Sequence, residues 1–276
     1  MKYLEDQVLI LSRINYGEND RILTALGPKL GKIKVMAKGI RKSTSKLAGN
    51  VELLSLAKLN LVQSREGGMV RLTGAKTVEH YPEIVKDADG MMMVYEWLKT
   101  VDKISPDGEG QEYFELLHTS LNALNEQKIS AENIHIWLYI QLINASGYTL
   151  NWDNLPDLRG AFSAPDLSES PKTDISSLSV PTGTPQSDNI GFESTQNNSG
   201  NQEIPHTAGT DLTDGVLDFD FASHQFVPSA SGIYSQAMVK LIKFHGEAEM
   251  PKQVVCDQAL QIASGKLLSE IIKRIV

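Results

Sequence analysis

Between positions 29 and 46 the chain carries Lys29, Lys32, Lys34, Lys38, Arg41, Lys42 and Lys46, and no acidic residue. Seven long cationic side chains without a neutralising carboxylate call for a polyanion. A phosphate backbone is one whose charges are spaced to meet several of them at once. Arg13, Arg21, Arg65 and Arg71 stand on neighbouring apolar runs and can widen the patch. Tyr16 adds a flat ring beside the cations, the combination that holds single strands by base stacking. The residues expected to touch nucleic acid are Arg13, Tyr16, Arg21, Lys32, Lys34, Lys38, Arg41, Lys42, Lys46 and Arg71. A merely solvated lysine face is the plain alternative; the missing carboxylates, in an otherwise acidic chain, weigh against it.

Bond-making chemistry needs other groups, and the sequence does not assemble them. Gly27-Pro28-Lys29-Leu30-Gly31-Lys32-Ile33 has three residues between its glycines where a phosphate loop has four, and Ile33 stands where Ser or Thr would bind magnesium. Ser264-Gly265-Lys266-Leu267 fails in the same way and reads as a turn between two helices. There is neither a Gly-x-Ser-x-Gly elbow nor a His-Glu-x-x-His pair. The histidines at 80, 118, 135, 206, 224 and 245 show no ligand spacing; His118 with Glu115, and His135 with Glu132, read as solvated or packed helix residues. Asp218 and Asp220 alternate with Leu217, Phe219 and Phe221, which reads as an edge strand with its charges outward. Cys256 is the only cysteine, so an intramolecular disulfide and a cysteine zinc site are both excluded. The expectation is a protein that is not an enzyme, with no catalytic residue, no metal and no cofactor.

The charge is unevenly spread. The whole chain has 26 basic and 34 acidic side chains, a balance of −8, but residues 1–86 hold 15 basic and 8 acidic ones, a balance of +7. The remaining 190 residues therefore carry −15. A basic module joined to an acidic partner-facing part gives this pattern, so the acidic average does not argue against nucleic acid. No apolar run approaches the ~18 residues of a membrane span, and Glu5 and Asp6 spoil a secretory signal. A soluble cytoplasmic protein without membrane contact is expected.

The elements that must position the cations follow from hydrophobic period. Residues 8–14, 21–26, 31–37, 56–63 and 69–78 are β-branched or alternating runs, separated by turn residues such as Gly27-Pro28. Five short strands within about 80 residues predict a small barrel of the OB type. From position 84 the pattern turns helical. Met92, Tyr95, Leu98 and Val101 define a face over 88–103; Leu117, Leu121 and Leu124 one over 113–124; Trp137, Leu138, Leu142 and Ala145 one over 134–145. Further helices are expected over 236–244 and 257–264, and Leu267, Leu268, Ile271, Ile272 and Ile275 form a last stripe. Such stripes must bury each other in a bundle. Between them, 32 of the 51 residues of 163–213 are Ser, Thr, Pro, Gly, Asn or Gln. That segment buries too little apolar area to offset the entropy of ordering, and reads as a disordered insertion. The expected class is α+β: an OB domain over 1–83, then a helical domain over 84–276 interrupted by 163–213.

Tyr16-Gly17-Glu18-Asn19-Asp20-Arg21-Ile22-Leu23-Thr24, then Leu30-Gly31-Lys32, then Ala37-Lys38-Gly39-Ile40-Arg41-Lys42-Ser43 with Lys46-Leu47-Ala48-Gly49, resembles the N-terminal domain of the RecO family of bacterial recombination mediators. The resemblance covers the whole first domain in order and spacing, and the helical remainder in layout. It implies binding of single- and double-stranded DNA, annealing of complementary strands, and work with RecR and single-stranded-DNA-binding protein to load RecA, in the cytoplasm at the nucleoid. It also implies that many relatives hold the second domain with a four-cysteine zinc site. Here the cysteine pairs expected after Tyr148 and near 231–234 are replaced by residues such as Asp153, Leu155 and Tyr234. The acidic tail of single-stranded-DNA-binding protein would need a local basic spot on the bundle, for which Lys240, Lys243 and Lys252 are the candidates. Two other readings of the same charges remain open: an OB-type RNA-binding module, and a protein–protein adaptor without nucleic acid.

Overall fold

The computed structural model describes residues 1–65, 68–150, 217–220, 222–228 and 234–275. The insertion expected at 163–213, and positions 153 and 155, lie outside these residues. β1 (Lys2–Tyr16), β2 (Asp20–Gly27) and β3 (Gly31–Ala37) form an antiparallel meander. β4 (Ser55–Gln63) pairs antiparallel with β1 and with β5 (Val70–His80). A short parallel ladder, Val35 with Val70 and Met36 with Arg71, closes the barrel in the order β1-β2-β3-β5-β4. This is the five-stranded OB arrangement that the sequence predicts. Inward residues of every strand fill it, among them Val8, Ile10, Leu23, Val35, Leu59, Leu61 and Val70.

β1 starts at Lys2, well before the 8–14 run. The alternation over its first residues is masked because a buried position holds an acid. Asp6 is buried, and its carboxylate accepts the backbone N–H of Lys29 (3.0 Å), Leu30 (2.8 Å) and Gln7 (2.9 Å), tying β1 to the β2–β3 turn. Gly27 must lack a side chain here, since a Cβ would lie 2.4 Å from Asp6 Oδ2.

A short helix α1 (Pro82–Lys86) leads into α2 (Ala88–Ile104), α3 (Gln111–Glu126) and α4 (Ala131–Ala145). A hairpin β6 (Leu217–Asp220) and β7 (Gln225–Pro228) precedes α5 (Gln236–Gly246) and α6 (Gln258–Ile275). Asp87, Ser130 and Ser235 each cap a following helix by accepting a first-turn N–H. The hairpin has Leu217 and Phe219 buried and Asp218 and Asp220 exposed, as the alternation predicts.

Two helix readings need correction, and the buried face of α4 is wider than the stripe. On α2 the buried residues are Gly90, Val94, Trp97, Leu98 and Val101, while Met92 is 70% and Tyr95 40% exposed. A chain of three-residue steps slips about 60° per step round a 3.6-residue helix, so the 92-95-98-101 series winds off the buried face. α4 buries almost every residue from Asn133 to Ile143, because it is packed by α3, α5 and α6 together. The turn expected at 264–267 is absent: α6 runs unbroken through Gly265. That glycine lets α6 approach α4, since a Cβ there would stand 2.9 Å from His135 Cδ2.

Barrel and helices share a core. Leu9, Leu11, Leu26, Leu54 and Leu56 face out of the barrel into the cluster that holds Tyr81, Trp97, Leu98, Tyr113 and Leu117. The face of the barrel that carries these leucines is thereby covered, while Lys34 on β3 stays exposed.

Candidate nucleic-acid interface

The loop after β3 is fastened at three points. Ile40 and Val51 insert into the barrel core and anchor its two ends. Its first turn is gripped by the β1–β2 hairpin: Asp20 Oδ1 accepts from Gly39 N at 2.7 Å, and Asn19 O accepts from Arg41 N at 2.9 Å. Arg41 Nη1 also donates to Gly17 O at 3.2 Å. Gly17 (φ +59°) and Gly39 (φ +64°) adopt left-handed backbone at these two turns, where other residues would be strained. The 16–24 motif is therefore the clamp that holds the basic loop.

With the loop held so, Lys38, Arg41, Lys42 and Lys46 are all exposed. Lys34 is exposed on the outward face of β3, two residues before Met36. Among the described residues, no carboxylate lies within ion-pairing reach of these five cations, whereas Arg13, Lys32 and Lys58 of the same barrel face Glu52, Asp107 and Glu5. Tyr16, at the end of β1, is 56% exposed at the clamp hairpin. Arg71 projects from β5 beside Met36 and donates to Ser64 Oγ at 3.2 Å; Arg21 donates from Nε to Asn15 Oδ1 at 3.1 Å. Free charge and one exposed ring thus stand at the clamp and on the loop it holds, with braced guanidiniums on β2 and β5.

Two of the sequence candidates are placed differently. Arg13 lies across from Leu23 at the end of the barrel and is engaged by Glu52. Lys32 is 9% exposed and turns toward the helices, where Nζ donates to Asp102 O at 2.8 Å and lies 3.5 Å from Asp107 Oδ1. The neighbouring backbone is knitted to the same loop, Lys32 N to Glu109 O and Gly108 N to Lys32 O. Lys32 fastens barrel to bundle, away from the exposed cations. Sequence proximity alone carried no sign of this, since the partners come some 70 residues later.

On the bundle, Lys240 and Lys243 are half-buried on α5, and Lys252 Nζ sits 5.9 Å from the centre of the Phe244 ring. The histidines there are structural. His135 Nδ1 accepts from Trp97 Nε1 at 2.9 Å, its Nε2 meets Ser269 Oγ at 3.3 Å, and it stacks on Tyr139. Burial lowers its pKa, and that of His245 to about 4. At the position where the sequence resemblance implies a cysteine, Tyr234 bonds to Leu217 through two backbone hydrogen bonds, with its ring edge-on to Phe226. Cys256 accepts a contact from Gln261 Nε2. These donors do not fit a four-thiolate zinc site.

Residues 1–81 match the family model described as recombination protein O, N terminal. Curated relatives named DNA repair protein RecO include that of Heliobacterium modesticaldum, 33% identical over 125 residues that cover 45% of either chain. The Exiguobacterium relative is 30% identical over 118 residues (42% of this chain, 47% of the relative), and that of Myxococcus xanthus 31% over 129 (46% and 52%). The chain spans about half the length of the curated relatives it matches.

Proposed function

We propose that this chain is a RecO-type DNA repair protein, a reading that the match of residues 1–81 and the 30–33% identical relatives support, and that it binds single- and double-stranded DNA and anneals complementary strands. It acts without catalysis, and with RecR and single-stranded-DNA-binding protein it assists the loading of RecA in the bacterial cytoplasm. Labour divides along the chain: residues 1–83 hold DNA and the helices of 84–276 meet protein partners. Lys240, Lys243 and Lys252 are the proposed contacts for the acidic protein tail.

The observation that supports DNA binding most directly is the set of five exposed cations, Lys34, Lys38, Arg41, Lys42 and Lys46, held on one clamped loop and its strand without carboxylate partners among the described residues. Two strands repel until their phosphates are neutralised, so annealing needs such a surface more than it needs base-specific contacts. Five neutralised phosphates give a slope of about −3.5 for log affinity against log salt on single strands, at roughly −0.7 each. Replacing Lys38, Arg41, Lys42 and Lys46 together by Ala leaves one of the five, so the slope should shrink to about −0.7 and strand annealing should slow in parallel. Annealing at the unaltered rate in that variant would remove the proposal. Stronger competition by a matched RNA oligonucleotide than by DNA would favour the RNA-binding reading instead.

A further inference from the structure

Three helices of the bundle enclose a groove of about 1170 Å³, with α2 and α6 as its rims and the first half of α4 beneath. Side-chain bonds fix the three helices at one level. His135 of α4 accepts from Trp97 of α2 and meets Ser269 of α6. Thr100 meets Tyr139 further along, and Gln258 donates to Glu132 further back, so the three helices run the same way. The Ser269–His135 pair is not a nucleophile with its base. Nδ1 of the ring already accepts from Trp97, so Nε2 carries the proton and donates it to the serine.

The rims hold apolar side chains in water, Met92 70%, Tyr95 40% and Ile262 42% exposed. Beside them stand four exposed charges, Glu96 and Lys99 on α2, Lys266 and Glu270 on α6. Spacings of three and four residues would let each pair close within its own helix. Neither does: among the described residues, all four stand outside every ion pair.

Their arrangement is reciprocal. The midpoint of Glu96 and Lys99 falls between Trp97 and Leu98, and that of Lys266 and Glu270 falls on Leu268. Both midpoints lie at the level of His135, which bonds to Trp97 on one side and faces Gly265 and Ser269 on the other. One two-fold axis lying in this face, crossing the helices at that level, therefore satisfies both pairs at once. Glu96 meets Lys99 of a second copy and Lys266 meets its Glu270, each contact occurring twice. The same axis lays the acidic end of the face, with Asp89 and Glu132, over the basic end of the second copy, with Lys103 and Lys273. An axis along the helices would set acid on acid and lysine on lysine.

We propose that this face is the interface of a two-fold homodimer, with α2 and α6 of one copy antiparallel to α2 and α6 of the other. Met92, Tyr95 and Ile262 fill the space between the rims, and Met92 lies against the stem of Lys103 of the second copy. The dimer stands independently of DNA binding. On the reading that the barrel binds DNA, it carries two basic loops, one for each strand to be annealed.

The test is sedimentation of the full chain without nucleic acid, over a concentration series. The unaltered protein should pass from 30.4 kDa toward twice that mass. Lys266→Glu or Glu270→Lys should raise the dissociation constant about 30-fold, the factor for two rim pairs turned from attraction to repulsion. Mixed in equal amounts, the two variants should regain the dimer as a heterodimer, and a chain carrying both substitutions should regain it alone. Met92→Glu should weaken the dimer in every combination. Because Lys266 and Glu270 are exposed, their substitutions should leave urea unfolding nearly unchanged, which separates a lost interface from a lost fold. A chain that stays at 30.4 kDa throughout overturns the proposal, whether or not it binds DNA. So does a dimer indifferent to the single reversals, or one that the mixture does not restore.

Discussion

Lys32 and Lys34 are two residues apart on one strand and look alike in sequence, yet the structure gives them opposite duties, and replacing each by Met should separate stability from DNA binding. The Met side chain keeps most of the stem and removes the charge. At Lys32, the ammonium that donates to Asp102 O at 2.8 Å is lost, in a place only 9% exposed. The accompanying ion pair to Asp107 contributes little, at most ~1 kcal/mol, because that carboxylate is 72% exposed. Most of the cost is the carbonyl left without its donor, about 1–3 kcal/mol. For a chain of this size that lowers the melting temperature by roughly 2–12 °C. The salt slope of DNA binding should not move. At Lys34, exposed and without a carboxylate partner among the described residues, unfolding should change by less than ~0.5 kcal/mol, while the slope becomes less negative by about 0.7. Urea unfolding and a salt series on single-stranded DNA measure both quantities on both variants. A Lys32→Met protein that keeps its stability and loses slope would refute the assignment of Lys32 to the barrel–bundle joint, and with it the sorting of these cations by burial.

Three further outcomes follow from the packing. Asp6→Ala takes the acceptor from the part-buried N–H groups of Lys29 and Leu30, and should cost about 1–3 kcal/mol in urea unfolding; a loss under ~0.5 kcal/mol would mean the β2–β3 turn does not depend on it. Gly265→Ala should destabilise by about 1–3 kcal/mol although Ala favours helix, because the new methyl meets a His135 ring fixed between Trp97 and Tyr139; a more stable variant would contradict that packing. Burial lowers the His245 pKa to about 4, against about 6.5 in the unfolded chain. The unfolded state then binds more protons between those values, so stability is full above pH ~6.5 and falls as the pH drops toward ~4, by about 2 kcal/mol at pH ~5 from this residue. Urea titrations at both pH values should show the loss, and His245→Gln should lessen it; equal losses in the two proteins would exclude His245 as the cause.

The barrel was readable because period two and turn residues are local properties. The basic loop was readable because uncompensated charge is visible without coordinates, and Lys38, Arg41, Lys42 and Lys46 are exposed as a solvated cationic loop must be. What escaped depends on partners distant in sequence. Lys32 is claimed by Asp102 and Asp107, and no pattern within β3 distinguishes it from Lys34. Asp6 interrupts an alternation that would otherwise extend β1 to Lys2, because a turn more than 20 residues away needs its carboxylate. Gly265 resembles a breaker, and is a contact surface for His135 instead. Met92 and Tyr95 were drawn into a face by counting in threes, which holds for one turn of helix and fails over three.

The row of leucines that leaves the barrel for the helices has a consequence in time. Leu9, Leu26 and Leu56 lie on strands completed before any of α2 or α3 exists. On a ribosome adding about 5–20 residues per second, the roughly 40 residues from Tyr81 to Leu121 take about 2–8 s to appear. For those seconds a finished barrel would present an apolar flank to solvent. Newborn chains are therefore most exposed to mispairing at this stage, and slowing translation past residue 80 should raise the aggregated fraction of newly made protein.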